Sequence, residues 1–136
     1  MDQSNYSVVF EDYTKNHYVK AFRKKYSAAA WGITEDAIRS MCEHIDNLRF
    51  TSKLDKIMAK ENFSICKLDF AVAGTKESAK TSGNRCIILI DETKRLVRIL
   101  LVYSKNDVLG KNETMWWKEE IFKTYQDIVA IFRGNK

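Results

Sequence analysis

RCIILIDETKRLVRILLVYSK, residues 85–105, is the stretch of sequence that decides the fold. Two apolar, β-branched runs flank a charged turn at 92–95, which is the pattern of a β-hairpin. The first run has no polar residue over 86–90, and the second is apolar from Ile99 to Tyr103. Strands this apolar are typical of the middle of a sheet that is covered on both faces. We therefore predict a central hairpin with helices packed against it.

The neighbouring ends of this hairpin each carry a cation. Arg85 opens the first strand and Lys105 follows the second, and the start of one antiparallel strand lies beside the end of its partner. A further strand is predicted over 63–73, where alternating side chains place Lys67 and Asp69 on one face. We expect Lys67, Arg85 and Lys105 to meet at one rim of the sheet.

Composition limits the class of protein. The chain has 136 residues, 45% of them apolar and 30% charged, with no proline and a formal charge of +5. These values predict one globular domain over 1–136. No apolar run approaches 18 residues, so no membrane span is expected, and the first residues lack the order of a secretory signal. The three cysteines have no metal-ligand spacing, so we expect reduced thiols, no metal, no cofactor and a cytoplasmic location.

The remaining elements are predicted in the order β-α-α-(α)-β-β-β-α. A short strand over 7–10 precedes a helix that Thr14 caps. Thr34 caps a second helix after a break at 28–32, and Ser52 begins a shorter third one. The order indicates the α+β class, an antiparallel sheet of three to four strands with N-terminal helices packed on it and a C-terminal helix. That last helix is predicted to begin at Asn112 or Thr114.

The first predicted helix has one basic side. Its apolar residues recur at helical spacing, and the opposite side carries the cations Lys15, Lys20, Arg23 and Lys24.

Familiar catalytic motifs are absent from the sequence. There is no P-loop, no Gly-x-Gly-x-x-Gly, no His-Glu-x-x-His and no Gly-x-Ser-x-Gly. The expected cluster of cations suits a phosphodiester, because fixed Arg and Lys groups stabilise the charge that builds up during cleavage by a 2′-hydroxyl. A base and an acid are also needed, and the candidates are Lys67, Asp69 and Glu113.

Two further features allow alternative interpretations. The polar stretch 74–84 carries Lys76 and Lys80 among hydroxyl residues; it could bind RNA phosphates or be a solvated loop. Trp116 lies beside Trp117 in the last predicted helix, and it could stack on a base or pack against the protein.

The residues 64–118 resemble the RelE/ParE-like toxins of bacterial toxin–antitoxin systems. The resemblance lies in Ile65-Cys66-Lys67-Leu68, in Gly83-Asn84-Arg85-Cys86-Ile87-Ile88 and in Leu100-Leu101-Val102-Tyr103-Ser104-Lys105. It implies a RelE-like fold of the small α+β ribonuclease type. It also implies a cognate antitoxin and, in the nuclease branch, cleavage of mRNA in the ribosomal A site without a metal.

The same resemblance implies roles for individual residues. Lys67 corresponds to a strand lysine, Arg85 to the phosphate-stabilising arginine, and Lys105 to the first member of a basic pair. The second member is here Asn106 in place of arginine, and it is expected at the RNA-binding surface. The C-terminal catalytic tyrosine or histidine of the nuclease branch has no clear counterpart.

Three functions remain open at this point, the third of which is general nucleic-acid binding through the loop at 74–84. The first is a metal-independent endoribonuclease toxin that cuts mRNA, with the ribosome as a further partner. The second is a non-catalytic binding module on the same scaffold, which inhibits a topoisomerase or occupies a partner protein. Asn106 and the missing C-terminal acid or base favour the second function.

Overall fold

A computed structural model describes residues 5–49, 51–108 and 112–133. Its centre is a five-stranded mixed sheet in the order β1-β5-β4-β3-β2. The strands are β1 (Ser7–Phe10), β2 (Leu54–Lys60), β3 (Phe63–Phe70), β4 (Asn84–Asp91) and β5 (Leu96–Ser104). β1 is parallel to β5, and the other neighbouring strands are antiparallel. The α+β class is therefore confirmed, whereas the sheet is larger than the predicted three to four strands and is not wholly antiparallel.

Helices cover both faces of the sheet. They are α1 (Asp12–Thr14), a π-helical segment (Lys15–Val19), α2 (Lys20–Tyr26), α3 (Ala28–Glu43), α4 (Ala79–Ser82), α5 (Glu113–Thr124) and α6 (Gln126–Arg133). None of the helices in the described ranges is long and apolar enough to cross a membrane.

The central hairpin is buried on both faces, as predicted. Cys86, Ile88 and Ile90 of β4 belong to the core beneath α2 and α3, while Ile87 and Leu89 belong to the core beneath α5 and α6. The predicted alternation of β3 is also confirmed. Its residues Cys66, Leu68 and Phe70 contribute to the first core, and Ile65 contributes to the second.

The predicted helix from Ser52 is wrong, because Leu54–Lys60 form the edge strand β2. The apolar residues Leu54, Ile57 and Met58 have a spacing that also fits a helix. In the structure this spacing results from a β-bulge, since the register with β3 shifts between Lys56 and Met58 and a bulge adds one residue to a strand. The two-residue turn that follows joins β2 directly to β3.

Thr14 is not the predicted helix cap, because α1 already begins at Asp12. The Thr14 side chain is fully buried, and its hydroxyl donates to the carbonyl of Leu100 in β5. The same carbonyl accepts a hydrogen bond from the hydroxyl of Tyr125 at 2.8 Å. Leu100 lies where the pairing of β4 and β5 shifts register, so these hydroxyls satisfy a polar group that the bulge exposes.

The second predicted helix begins earlier than Thr34, and the expected break at 28–32 is absent. Ser27 caps α3 by accepting a hydrogen bond from the Ala30 amide at 3.1 Å. The alanines at 28–30 favour helix and continue it through Gly32. Thr34 is buried inside the helix, where its hydroxyl accepts from the Ala73 amide at 2.8 Å.

The C-terminal helix begins as predicted after Asn112, whose side chain accepts from the Met115 amide at 3.1 Å. The helix is interrupted at Tyr125, between α5 and α6. Arg98 of β5 anchors this region, with ion pairs of 2.6 Å to both Glu11 and Asp127.

The three cysteines are free and buried. Burial raises the pKa of Cys42 to about 12 and that of Cys66 to about 11, and it raises the pKa of Cys86 well above 9.0. The thiols therefore stay protonated in the folded chain at a pH where the unfolded chain loses these protons. The contribution of each thiol to the free energy of unfolding is therefore complete below the pKa of that thiol in the unfolded chain. It is lost as the pH rises from there through the pKa in the folded chain.

We expect the free energy of unfolding to be constant up to about pH 8 and to fall above about pH 9, by about 1.4 kcal/mol per pH unit for each thiol. Urea denaturation at pH 7, 9 and 10 measures this dependence. Cys86→Ala removes one of the three groups, so its stability should fall less steeply with pH. A slope equal to that of the unsubstituted chain would contradict the assignment.

Candidate functional site: a polar groove at one end of the sheet

A groove of about 520 Å³ opens at one end of the sheet. We call it the polar groove; it is lined by Thr51, Ser52, Lys53, Leu54, Asp55, Lys67, Asp69 and Arg85. Strand pairing places its charged residues, because Asp55 of β2 lies opposite Lys67 of β3, and Asp69 of β3 lies opposite Arg85 of β4. The pairing thus alternates acidic and basic side chains across three adjacent strands.

Arg85 faces two carboxylates. Its Nε lies 2.8 Å from Oε2 of Glu113 and 3.9 Å from Oδ1 of Asp69. The side chain is only 13% exposed, and its Nε and Nη1 are both buried without a hydrogen-bond partner among the described residues, so the contact with Glu113 is an ion pair. Buried polar groups normally have hydrogen-bond partners, so two nitrogens of the guanidinium have unused N–H donors. The sequence predicted Arg85 as a cation for phosphate, and in the structure this cation is already paired with carboxylates.

Glu113 is held from several directions. It is the first residue of α5, where a carboxylate is favoured by the helix dipole. Its Oε2 accepts a hydrogen bond from the hydroxyl of Tyr103 at 2.5 Å, in addition to the ion pair with Arg85. The position of this carboxylate is thus set by two strand residues and by the cap of the helix.

Tyr103 is a site residue that the sequence did not indicate as functional. Burial and the hydrogen bond to Glu113 raise the pKa of its phenol far above the ordinary value, so it is a hydrogen-bond donor at neutral pH. Because its neighbours in the sequence are apolar, the pattern predicted Tyr103 only as a core residue of β5. Only the carboxylate of Glu113, ten positions further along the chain, distinguishes it.

Lys67 lies on β3 and lines the same groove as Arg85. Its ammonium is 4.0 Å from Oδ2 of Asp55, and its side chain is 25% exposed. Two of the three predicted cations therefore meet in one groove, as the alternation of β3 and the start of β4 required.

Lys105 does not line the polar groove. The strand ends pair as predicted, with Asn84 opposite Ser104, but the chain then turns. Ser104 accepts a hydrogen bond from the Asn106 amide at 3.3 Å, which starts a 3₁₀ turn at Lys105. The aliphatic part of Lys105 instead packs beside Gly83, where a Cβ would lie 3.2 Å from its Cγ.

The predicted RNA-binding residues have different environments. Lys76 is exposed in a loop, and Asn106 is exposed in the 3₁₀ turn that begins at Lys105. Lys80 belongs to the short helix α4, which a Ser78–Thr81 capping box begins, and its side chain lies outside the described part of the structure. Trp116 is half-buried, and its ring packs edge-to-face on Tyr103 at 4.9 Å.

This packing supports a structural role for Trp116, because the Trp116 ring covers Tyr103, the residue that positions Glu113.

Within the described ranges, no three His, Cys, Asp or Glu side chains lie close enough together to hold a metal ion.

The groove can bind an anion if that anion replaces a carboxylate. Lys53, Lys67 and Arg85 of its lining are cations, and Asp55 and Asp69 are carboxylates. Glu113 adds a further carboxylate at Arg85. A phosphate that reaches Arg85 would lie beside both carboxylates, which is the arrangement that proton transfer requires.

Comparison with known proteins bears on the fold. Neither a protein-family model nor a curated protein sequence matches the chain. Among solved structures, a chain of the archaeal RelE–RelB complex from Pyrococcus horikoshii OT3 is similar, with a TM-score of 0.52 and 14% identity. The match covers 79% of this chain and 99% of that one. The chain therefore has a RelE-like α+β fold.

Proposed function

We propose that the chain is the toxin of a type II toxin–antitoxin pair and acts as a metal-independent endoribonuclease on mRNA at the ribosome. The observation that carries the proposal is the meeting of Arg85 and Lys67 in one polar groove on a RelE-like scaffold. Fixed cations of this kind stabilise the charge of a phosphodiester during cleavage.

In this mechanism, the neighbouring 2′-hydroxyl attacks the phosphorus and the 5′-oxygen leaves. Arg85 and Lys67 stabilise the extra negative charge on the phosphate oxygens. Glu113 and Asp69, the two carboxylates nearest to Arg85, are the candidates for taking the 2′-proton. Lys67, the third candidate, gives a proton to the leaving 5′-oxygen. Tyr103 is a positioning residue, because its hydroxyl holds Glu113 at 2.5 Å.

The proposed partner is a cognate antitoxin, and the proposed location is the cytoplasm, where mRNA is translated. Support for the partner is that the similar structure is a complex of RelE with RelB. An antitoxin could block the groove directly by placing its own carboxylate on Arg85.

A second candidate is a non-catalytic binding module that inhibits a topoisomerase or occupies a partner protein. It is favoured by the two carboxylates that already face Arg85 and by Asn106, which stands where the resemblance implies arginine. In this case the polar groove would bind a charged segment of a protein.

Purified protein incubated with mRNA in EDTA, with and without ribosomes, separates the two functions. We expect cleavage in the presence of ribosomes, because metal-free phosphodiester cleavage needs only the groove residues and an ordered substrate. DNA supercoiling is assayed with the same preparation. Intact RNA together with blocked supercoiling would contradict the nuclease and support the second function.

A further inference from the structure

A second charged surface lies on the N-terminal helical segment, away from the polar groove. We call it the basic helix face; it consists of Lys15, Lys20, Arg23 and Lys24, all of which are exposed. The opposite side of the segment is buried through Val19 and Phe22. The four cations therefore project from the side that does not contact the core.

The π-helical segment Lys15–Val19 aligns two of these cations. Residues five apart are about 140° apart around a regular α-helix, whereas the i→i+5 pattern of a π-helix stacks them on one side. Lys15 and Lys20 are such a pair, and both line one depression of about 330 Å³ together with Arg23. The π-helical turn thus brings Lys15 to the same side as Lys20, from which a regular helix would separate it.

The charges of this face are not neutralised within the described ranges. The ion pairs found there use the cations Arg39, Arg49, Lys67, Arg85, Arg95, Arg98 and Lys123. Glu35 also lines the depression, but its carboxylate accepts from Trp31 at 2.9 Å and from Arg39 at 3.3 Å. Four cations without an ion pair in the described ranges therefore lie together on this face.

The basic helix face and the polar groove lie on opposite sides of the sheet. Val19 and Phe22 pack in the same core as Cys66 and Leu68 of β3. Lys67, which lines the groove, alternates with these two residues along the strand and so points to the other side. One ligand bound in the groove does not reach both sites unless it wraps around the molecule.

We propose that the basic helix face binds the phosphate backbone of RNA at a surface separate from the polar groove. The choice of RNA rests on the proposed function. A membrane surface is disfavoured because an interfacial helix needs large apolar residues at its surface. The large apolar residues exposed in the described ranges are Val9, Ile33 and Met115, and none belongs to this helical segment.

The test is binding of a fluorescent RNA hairpin with 2′-O-methyl groups, which cannot be cleaved through the 2′-oxygen. Four phosphate contacts predict that log K falls with log salt with a slope of about −3 to −4. K20Q/R23Q should lower the affinity at 0.1 M salt about 10- to 100-fold and flatten the slope by roughly 2.

K60Q/K94Q is the matched control, because Lys60 and Lys94 are exposed cations at other places and the change in net charge is the same. Affinity in this control should stay within about threefold of the unsubstituted chain. Equal losses in both variants, or no loss in K20Q/R23Q, would overturn the proposal. Binding to phosphatidylserine vesicles that only K20Q/R23Q loses, with RNA affinity unchanged, would overturn it in favour of a membrane surface.

Failure of this proposal is distinguishable from failure of the nuclease. Arg85→Lys is assayed for cleavage, and K20Q/R23Q is assayed for affinity to the methylated RNA. If Arg85→Lys leaves cleavage unchanged while K20Q/R23Q weakens binding, the nuclease proposal fails and the RNA-binding surface stands. If K20Q/R23Q keeps full affinity while Arg85→Lys loses cleavage, only the RNA-binding surface fails.

Discussion

Arg85→Ala is expected to lower the rate of RNA cleavage by roughly 10²- to 10³-fold and to relieve growth arrest on expression without a partner. The rate loss is the size that follows removal of one preorganised group that stabilises transition-state charge. In this chain the loss has a second cause. Without the guanidinium, Glu113 and Asp69 lose the cation that both of them contact, and their negative charges disfavour an incoming phosphate.

Arg85→Ala could also destabilise the chain, because Arg85 is only 13% exposed and pairs with Glu113. Arg85→Lys separates the two effects. Lysine keeps the charge beside Glu113 but lacks the fork of donors that binds a carboxylate and a phosphate at once. We expect it to keep the fold, as measured by circular dichroism and urea denaturation, and still to lose most of the cleavage rate.

The control for these variants is Lys94→Gln, which removes an exposed cation far from the groove and should leave cleavage unchanged. Toxicity and cleavage that stay the same in folded Arg85→Ala and Arg85→Lys proteins would rule out Arg85 as a catalytic residue. The polar groove would then be a binding site at most.

Trp117→Ala is expected to lower the free energy of unfolding by about 3–5 kcal/mol, which is the range for large-to-small changes in cores. Trp117 is 1% exposed and lies in the core between α5 and the sheet. The cavity would loosen α5 at the end that carries Glu113. The same change should therefore weaken the site as well as the fold.

Trp117→Phe is the informative comparison. The indole Nε1 of Trp117 is buried without a hydrogen-bond partner in the described ranges, and a buried donor of this kind costs about 1–3 kcal/mol. Phenylalanine loses volume but also removes that donor, so we expect a cost below about 2 kcal/mol. Urea denaturation measures both variants. Equal losses for Ala and Phe would show that the indole N–H has a partner or that the cavity does not decide the cost.

Sequence patterns were reliable where one period dominates and burial is complete. The hairpin of β4 and β5 was predicted from continuous apolar runs, and the faces of β3 from strict alternation. Asn112, which caps α5, was one of the two caps predicted from side-chain type, because capping is a local interaction. The fold class followed from the order of these elements.

Patterns failed where a tertiary contact competes with a local one. Thr14 and Thr34 are good caps by residue type, yet both hydroxyls are buried and serve backbone groups of distant segments. β2 was mistaken for a helix because its bulge imitates helical spacing. The parallel pairing of β1 with β5 has no local signal, because Leu96, the start of β5, comes 86 positions after Phe10.

Some residues of the candidate site were predictable from sequence patterns and others were not. Lys67 and Arg85 were found from the strand pattern, because alternation and strand ends decide where such side chains point. Lys105 was placed at the same rim, but the 3₁₀ turn that begins there directs it toward Gly83. Tyr103 was missed, since a tyrosine within an apolar strand carries no sign of the carboxylate it meets.

By itself, the sequence determined which residues are strands and core in the centre of this protein, and which cations the central strands carry. These properties depend on burial and on the two-residue period of a strand, and both produce patterns of apolar residues that are visible in the sequence. The tertiary structure alone decided that Glu113 and Asp69 contact Arg85, and that the basic side of the first helical segment contains a π-helical turn and lies on the other face of the sheet. Charges interact through space, so their partners are known only once the register, the bulges and the helix starts bring distant residues together.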